Sequence, residues 1–452
     1  MNLTFNNKLT IVLPIEVKKR ELFSKIFLAY QILKKINCRI IIGSQRNMFN
    51  NIISLKNAIW FDKNTYFKKI IKNKFLKENI KFLLDEEGPS FFNGIFYKLR
   101  INKNIINFFD EIFVWGKNDY NLFIKKRKLH IFGHPKYDIL KNKRFFLFKN
   151  ESKKIKKKYN NFILIVSNFG HDSILDKKIE NRVLEINASN KKFSIEKQKL
   201  EKSEYINYIS QINLTKIIAK ELPDAKIIYR PHPYQNIDLV KKRFGKITKN
   251  LEINYNGSIT PWIESSKIYI HSGCSTFFEA NLLKKPILFF YKKKMNNFLT
   301  FKNSGKNFDN EELLVKYLKY TFYKKNISIK HYNKFNKCIF NLKKENYFYI
   351  NFLNLIKKKY IHLKSEVSYV KNQKTKISRN ILSYIKNNII LKTSLVKFLP
   401  EKYLYPKEYQ LSKFDHLKKK EIKNYFLELN SKFYKKIKFF EINKDVFELS
   451  LK

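Results

Sequence analysis

The feature that most constrains the fold is a regular alternation of short apolar runs with longer segments of helical periodicity. The first apolar run covers residues 8–15, a helical pattern follows over 19–36, and residues 38–42 form the next run. In the helical pattern apolar residues recur every three or four positions, as they do on one face of a helix. A β-α-β start of this kind predicts a parallel sheet covered by helices.

The alternation continues in two series along the chain. The predicted strands cover residues 80–84, 111–115 and 129–132 in the first series, and 162–166, 226–229, 267–270 and 286–291 in the second. A helical stretch over 200–221 lies within the second series. The Lys-rich stretch at 149–160, between the series, is either an inter-domain connection or a solvated helix.

This pattern predicts an α/β protein with two Rossmann-like domains and a C-terminal helical extension. We expect an N-terminal domain over residues 1–148 and a second domain over 158–310. Residues 311–452 show Lys-rich helical patterns without a strand rhythm and form the extension. Because ligands of open parallel sheets bind outside the carboxyl ends of the strands, we expect a cleft lined by strand ends.

The composition limits the class of partner. The 93 Lys and Arg residues outnumber the 38 Asp and Glu residues and give a formal net charge of +55. Such a charge is typical of nucleic-acid or membrane-surface binding. However, nearly all the basic residues are Lys and are spread along the whole chain, which an A/T-rich genome explains. Because nucleic-acid readers depend on Arg, we expect no nucleic-acid partner and retain only an attraction to anionic membrane surfaces.

The cysteines and the apolar runs indicate the compartment. Cys38, Cys274 and Cys338 form no CxxC pair, which is typical of a reducing compartment. The N-terminal apolar run is too short for a signal peptide, and no stretch reaches the length of a membrane span. We therefore expect a cytoplasmic protein, at most peripheral on the inner face of the membrane.

The most informative segment is 267–291, where a strand leads through a turn of small residues into a helix over 275–284. Ser272, Gly273, Ser275 and Thr276 would let the backbone approach a diphosphate, which the helix N-terminus also favours. Glu279 would then hold ribose hydroxyls. The alternative is a capping box without a ligand, because Thr276 and Glu279 have T-x-x-E spacing.

Two histidines and an arginine follow neighbouring strands of this series. His271 ends the strand before the turn, and His232 lies between two prolines in 229–233. Arg230 is one of few arginines in a Lys-rich chain, which favours a need for its planar fork, for example on phosphate. We take both histidines as catalytic candidates and Arg230 as a donor-binding candidate. The alternative is a rigid turn with a structural histidine.

A second group of polar residues follows strands of the first series. Glu16, Arg20 and Glu21 lie where the first strand meets the first helix, and Glu87 belongs to an acidic segment at 85–88. Adjacent acids can hold one carboxylate with a raised pKa, which suits general-base catalysis. We take Glu16 and Glu87 as catalytic candidates and Arg20 and Glu21 as acceptor-side residues. The alternatives are ordinary helix-start chemistry and a solvated loop.

Several common site motifs are absent from the sequence. It contains no D-x-D, G-x-G-x-x-G or G-x-x-x-x-G-K-[ST] string and no Cys/His cluster with zinc spacing. We therefore expect neither a metal nor a cofactor. The charge of a leaving group would have to be met by a helix end, His and Arg.

Taken in order, several segments resemble one family, the bacterial surface carbohydrate biosynthesis proteins. They are residues 14–43, 111–116, 133–138, 162–169, 229–233, 261–263 and 271–286. That family is similar in turn to the GT-B glycosyltransferases, the CDP-glycerol glycerophosphotransferases and the non-hydrolysing UDP-GlcNAc 2-epimerases. The resemblance covers about residues 9–295 and implies a GT-B-like fold.

The resemblance also implies which residues hold the donor. Carried over residue by residue, the donor site consists of Arg230, His232, His271, Ser275, Thr276 and Glu279. Family members commonly carry two threonines where this chain has Ser275 and Thr276, so both hydroxyls remain.

The resemblance implies a glycosyltransferase-like enzyme of O-antigen or capsule biosynthesis, with residues 1–148 as the acceptor-side domain and 158–310 as the nucleotide-sugar domain. It would transfer a sugar from a nucleotide-sugar donor to a glycan or a lipid-linked glycan, without a D-x-D metal site. Two alternatives stay open. The first is a CDP-polyol phosphotransferase or a non-hydrolysing nucleotide-sugar epimerase, and the second is a non-enzymatic basic protein that binds nucleic acid or membranes.

Overall fold

The strands of both main sheets are short apolar runs, most of them buried along their whole length, as expected for parallel strands covered by helices on both faces. The computed structural model describes residues 2–63, 77–89, 107–123, 128–141, 147–174, 191–292, 304–325, 327, 338–370 and 407–452. The strands are β1 (Asn2–Lys8), β2 (Thr10–Ile15), β3 (Arg39–Ser44), β4 (Ile52–Lys56), β5 (Ile59–Asp62), β6 (Ile80–Leu84), β7 (Glu111–Val114), β8 (Leu129–Ile131), β9 (Phe162–Val166), β10 (Lys226–Arg230), β11 (Leu251–Ile253), β12 (Ile268–His271), β13 (Ile287–Phe290), β14 (Lys306–Phe308), β15 (Ser365–Val370), β16 (Ile437–Asn443) and β17 (Val446–Leu451). The α-helices are α1 (Lys18–Lys35), α2 (Gln45–Asn51), α3 (Lys117–Tyr120), α4 (Pro135–Lys141), α5 (Lys149–Tyr159), α6 (Lys191–Glu221), α7 (Ile237–Phe244), α8 (Ile259–Ser265), α9 (Phe277–Leu282), α10 (Glu311–Thr321), α11 (Phe348–Lys359), α12 (Lys407–Lys413), α13 (Lys419–Leu429) and α14 (Ser431–Tyr434).

The chain folds into two units, each with its own main sheet. Unit 1 comprises Met1–Lys149, Asn333–Gln373 and His416–Lys452, and unit 2 comprises Asn150–Tyr332 and Lys374–Asp415. Both main sheets are predominantly parallel, which confirms the predicted α/β class with two Rossmann-like sheets.

The main sheet of unit 1 has the strand order β16-β17-β3-β2-β5-β6-β7-β8. After β2 the chain adds β3 on one side, and later adds β5 on the other side. The order of the parallel strands therefore reverses between β2 and β5, and we call this position the unit 1 switch point. Ligands of open α/β sheets bind in the crevice outside the carboxyl ends of the strands at such a point.

The sheet of unit 2 has the order β11-β10-β9-β12-β13-β14, and all its pairings are parallel. This is the strand order 3-2-1-4-5-6 of dinucleotide-binding domains. Its switch point lies between β9 and β12, where Ile163 pairs with Ile268 and Val166 with His271. The loops after these two strands therefore border the unit 2 crevice.

The C-terminal segment corrects two expectations. It is not helical throughout, because β15, β16 and β17 lie within the predicted extension 311–452. Nor is it a separate body, since 311–332 and 374–415 belong to unit 2 and the remainder to unit 1. In unit 1, β17 pairs antiparallel with β3, and β15 pairs with β1 and β4 in a small antiparallel sheet. Residues 326, 328–337 and 371–406 of the predicted extension lie outside the described residues.

The Lys-rich stretch 149–160 forms a helix, α5. Its apolar residues Ile155 and Tyr159 are buried, whereas its lysines are exposed, as in a solvated helix. The chain also passes from unit 1 to unit 2 in this stretch, between Lys149 and Asn150.

Candidate functional site

The unit 1 switch point holds a buried cluster of opposite charges. Lys63 directly follows β5, and its side chain is only 3% exposed. Its Nζ lies 2.6 Å from Glu16 Oε2, 3.0 Å from Glu21 Oε1 and 3.1 Å from Glu87 Oε1. Burial alone would lower the pKa of Lys63, but the carboxylates of Glu16 and Glu21 outweigh it and raise the pKa. Lys63 is therefore a permanent cation that gathers three carboxylates.

Arg20 and Glu21 complete this cluster from the first turn of α1. The guanidinium of Arg20 donates to both carboxylate oxygens of Glu87, each at 2.8 Å, in the bidentate geometry that arginine favours. The carboxylate of Glu21 accepts from the backbone N–H groups of Glu16 (2.8 Å) and Val17 (3.2 Å), which satisfies the start of α1. The structure thus brings together all four predicted residues of this group, Glu16, Arg20, Glu21 and Glu87.

A second set of buried side chains holds the acidic segment 85–88 in place. His134, which follows β8, donates from Nε2 to Glu86 Oε2 at 2.7 Å, because its Nδ1 accepts from the backbone of Lys136. Lys25 Nζ lies 3.6 Å from the other oxygen of Glu86. Burial would raise the pKa of Glu86, but His134 and Lys25 offset this and lower it to about 2. Glu86 is thus an anchor, which leaves its neighbour Glu87 as the partly exposed carboxylate of the pair.

The unit 2 crevice is bordered by the predicted turn after β12. His271 is fully buried, and its Nδ1 accepts from the backbone N–H groups of Gly273 and Cys274, both at 3.2 Å. Burial lowers the pKa of His271 to about 3, so the ring is neutral at pH 7. Its Nε2 lies 3.4 Å from Ser304 Oγ. His271 therefore shapes the turn, and its expected part in catalysis, by a hydrogen bond or a proton, stays a prediction.

The other predicted residues of the turn are held from several sides. Gln211 of α6 donates from Nε2 to Ser272 Oγ (2.9 Å) and to the carbonyl of Val166 (3.2 Å), and so ties the ends of β9 and β12 together. Gly273 has a φ of 105°, a conformation that favours glycine. Ser275 and Thr276 are partly exposed, and the Thr276 hydroxyl lies 2.6 Å from the hydroxyl of Tyr269.

The side chains of Glu279 and Arg230 are held by contacts within unit 2. Glu279 accepts from Thr260 Oγ1 at 2.6 Å, and Thr276 makes no side-chain cap bond, so the alternative of a capping box is wrong. The fork of Arg230 donates to the carbonyls of Asn256 (2.5 Å) and Gly257 (2.9 Å), and lies 5.1 Å from the ring of Trp262. Burial lowers the pKa of Arg230 to about 10. Arg230 therefore braces the loop after β11 rather than presenting its fork for a phosphate.

His232 is better placed for chemistry than His271. It is half-buried, and its Nδ1 accepts from the backbone of Tyr234 at 3.3 Å, a contact that fixes the ring within the Pro-flanked turn. Asn168, two residues after β9, has a buried side-chain oxygen for which the described residues provide no hydrogen-bond donor. Both residues follow strands at the carboxyl edge of the unit 2 sheet.

Three of these residues were not predicted from the sequence. Lys63 follows the short strand at 59–62. There, apolar residues are followed by the polar residues Asp62 and Lys63, which is the same pattern as in the strands that the sequence predicted. Gln211 is a polar residue on the buried face of a helix. A polar residue at such a position can be recognised in a sequence as a candidate for a specific contact. Asn168 carries no local signal, since only its position after β9 makes it a candidate.

Two searches for other features were limited to the described residues. In this part of the chain no group of three or more His, Cys, Asp or Glu side chains is arranged to hold a metal ion. Nor does any helix there combine the length and apolarity needed to cross a membrane.

No family model and no curated protein matches the chain. It is structurally similar to solved enzymes at low identity. The wall teichoic acid polymerase TagF is 13% identical with a TM-score of 0.44, over 77% of this chain and 88% of that one. MnaA of S. aureus in complex with UDP is 11% identical with a TM-score of 0.47, over 78% and 96% of the chains. The UDP-GlcNAc 2-epimerase of Methanocaldococcus jannaschii, in complex with UDP-GlcNAc and UDP, is 15% identical with a TM-score of 0.47, over 78% and 99% of the chains. At this distance the activity has to be argued from the chain's own residues.

Proposed function

We propose that the protein is a glycosyltransferase-like enzyme of bacterial surface polysaccharide synthesis that uses a nucleotide-sugar donor. One observation carries the proposal: at each switch point the structure has the kind of groups that this chemistry needs. Unit 1 has clustered carboxylates, including the partly exposed Glu87. Unit 2 has a turn of small residues after β12, on a sheet with the strand order of dinucleotide-binding domains.

We assign the nucleotide of the donor to unit 2. Its phosphates would meet the backbone N–H groups and hydroxyls of the turn at Ser275 and Thr276, which His271 and Gln211 hold in shape. His232 would donate a proton or a hydrogen bond to the leaving phosphate oxygen. Fixed donors of this kind stabilise developing negative charge without reorganising during the reaction.

We assign the acceptor hydroxyl to the unit 1 cluster. Its oxygen would attack the anomeric carbon of the donor sugar while the bond from that carbon to the phosphate oxygen breaks. Glu87 would take the proton of the hydroxyl, because it is more exposed than Glu16, with 30% against 10% of the side chain accessible. Its contacts with Arg20 and Lys63 would hold the carboxylate in position.

The donor is identified by calorimetric titration with UDP-, CMP- and CDP-linked sugars and with CDP-linked polyols. Saturable binding of a nucleotide sugar supports the proposal, whereas exclusive binding of a CDP-polyol favours a phosphotransferase. Interconversion of the free nucleotide sugar without any acceptor favours an epimerase. If none of these compounds binds, the proposal is wrong.

The carboxylates are tested with the donor that binds. Glu87→Gln should lower turnover by about two to four orders of magnitude, because general-base catalysis contributes about that much. Glu78→Gln is the matched control, since Glu78 lies in the same unit and is 56% exposed. If Glu87→Gln and Glu78→Gln both turn over at the wild-type rate, the base is misassigned.

A further inference from the structure

Unit 1 has an open cavity of about 480 Å³ that is formed by its last elements and is separate from the switch point. Four of the seven residues that line it are lysines, and none is acidic. They are Lys423 of α13, Lys435 after α14, Lys438 of β16 and Lys452 after β17, together with Tyr434, Ile437 and Phe439. We call this the lysine cavity.

The elements that carry these lysines are fixed relative to one another. Strands β16 and β17 pair antiparallel, with Lys438 opposite Ser450. The ring of Phe439 contacts Phe426 of α13 at 5.4 Å and Tyr434 of α14 at 5.7 Å. Ile437 and Phe439 are buried, so the floor of the cavity is apolar. Lys423 is partly buried, whereas Lys435, Lys438 and Lys452 are exposed, so the positive charges lie at the rim of an apolar surface.

Two other lysines of unit 1 form close ion pairs. Lys18 lies 2.9 Å from Glu421, and Lys359 lies 2.8 Å from Glu111. Within the described part of the chain none of the four cavity lysines has an acid at that distance. Glu448 of the neighbouring strand β17 interacts electrostatically with Lys438 but is paired with Arg39 at 3.2 Å. The four like charges repel one another unless an anion lies between them.

We propose that the lysine cavity binds the phosphate groups of a ligand that carries at least two negative charges. Lysine binds phosphate as a point charge, and several lysines around one concave surface suit a diphosphate or clustered phosphates. The volume is within the usual range for small-ligand sites. This site is independent of the proposed transferase activity, because it involves neither switch point.

The proposal is tested with the full-length protein and sodium pyrophosphate, by calorimetry at physiological ionic strength. The Lys423→Gln, Lys438→Gln double variant should bind about tenfold or more weakly than wild type, since hydrogen bonds to charged groups are lost. The matched control is Lys357→Gln, Lys358→Gln, which removes two exposed charges at the end of α11. Thermal unfolding of both variants shows that the fold is retained.

A second arm distinguishes a soluble ligand from a lipid headgroup. The same three proteins are sedimented with vesicles of phosphatidylglycerol and phosphatidylcholine in equal parts. If only the cavity double variant loses affinity for pyrophosphate, the ligand is a soluble phosphate compound. If only the cavity double variant loses binding to vesicles, and keeps its affinity for pyrophosphate, the ligand is a membrane lipid. If both double variants behave alike in both arms, binding depends only on overall charge and the lysine cavity is not a site. These results are read from binding alone, so they stand whether or not the transferase proposal fails.

Discussion

At the unit 1 switch point three glutamates lie within 3.1 Å of one lysine. Their mutual repulsion is tolerated because Lys63 and Arg20 supply two permanent positive charges among them. Because the pKa of Lys63 is raised in the fold, its contribution to stability is fully present below its ordinary pKa of 10.5 and is lost only as the pH rises well above it. The cluster is thus stable throughout the physiological range.

Lys63→Met should be strongly destabilising. It leaves the largely buried carboxylate of Glu16 without its lysine and the buried one of Glu21 with Arg20 alone, at 3.3 Å. Breaking a buried ion pair typically costs about 3–5 kcal/mol. Lys56→Met is the control, because its ion pair with Glu78 is exposed and such pairs contribute about 0–1 kcal/mol. Denaturant unfolding measures both. Equal losses in the two variants would show that the cluster contributes nothing special.

The buried imidazole of His271 should make the protein acid-labile. The pKa of His271 falls from 6.5 to about 3 on folding. Between these pH values the unfolded chain therefore binds a proton that the folded chain does not bind. Stability is therefore lost as the pH falls from about 6.5 to about 3, by about 1.4 kcal/mol per pH unit. His271→Asn should remove this part of the slope, measured by unfolding at several pH values, while the exposed-site variant His362→Asn should keep it.

At the scale of elements, the C-terminal hairpin β16–β17 extends the unit 1 sheet beyond β3. Val446 pairs with Gly43 and Leu449 with Ile40, so β3 has a neighbour on each side. Gly43 is required there, because a Cβ atom at this position would lie 2.0 Å from the carbonyl oxygen of Asp445. β16 is therefore the strand at this end of the sheet.

Leu449→Ala tests the contribution of the hairpin. Leu449 is fully buried, and truncating a buried leucine costs about 2–5 kcal/mol. Leu427→Ala, on the outer side of α13 where Leu427 is 49% exposed, should change stability by no more than about 0.5 kcal/mol. The free energy of unfolding is the measurement. A cost for Leu449→Ala that matches the control would mean that the hairpin is not part of the cooperative unit.

At the scale of the whole molecule, the net charge of +55 is the dominant electrostatic property. Within the described residues, the acids of the candidate sites are largely paired with nearby basic side chains. They therefore do not neutralise the lysines elsewhere, and much of the positive charge faces solvent. Such a surface attracts any polyanion at low salt without selecting one.

Binding of single-stranded RNA should therefore be weak and strongly salt-dependent. Between low and physiological salt the affinity for RNA should fall by about tenfold or more, because binding releases counterions from the RNA and this release is less favourable at higher salt. The affinity for the nucleotide-sugar donor should change little over the same range, because it depends on a few fixed contacts. Fluorescence anisotropy at a series of salt concentrations compares the two. Tight RNA binding that resists salt would instead favour a nucleic-acid-binding protein.

Local pattern alone was sufficient to predict the α/β class, most of the central strands and the proximity of four polar residues in unit 1. The runs at 80–84 and 162–166 are strands with the predicted limits, because short apolar runs followed by polar residues are a local property of parallel strands. The prediction that Glu16, Arg20, Glu21 and Glu87 share a site followed from their positions after strands of one sheet. Their role in catalysis stays a prediction.

The tertiary structure decided which partner each polar side chain has. Arg230 contacts backbone carbonyls, Glu279 contacts Thr260, and His271 contacts two backbone amides, and none of these pairings can be read from spacing along the chain. Lys63 became part of the site only because β5 lies beside β2, and the C-terminal hairpin joined unit 1 only because β17 pairs with β3, about 400 residues away. Such contacts depend on strand order and long-range packing. A local sequence pattern specifies which elements form, but it does not specify which distant elements become neighbours.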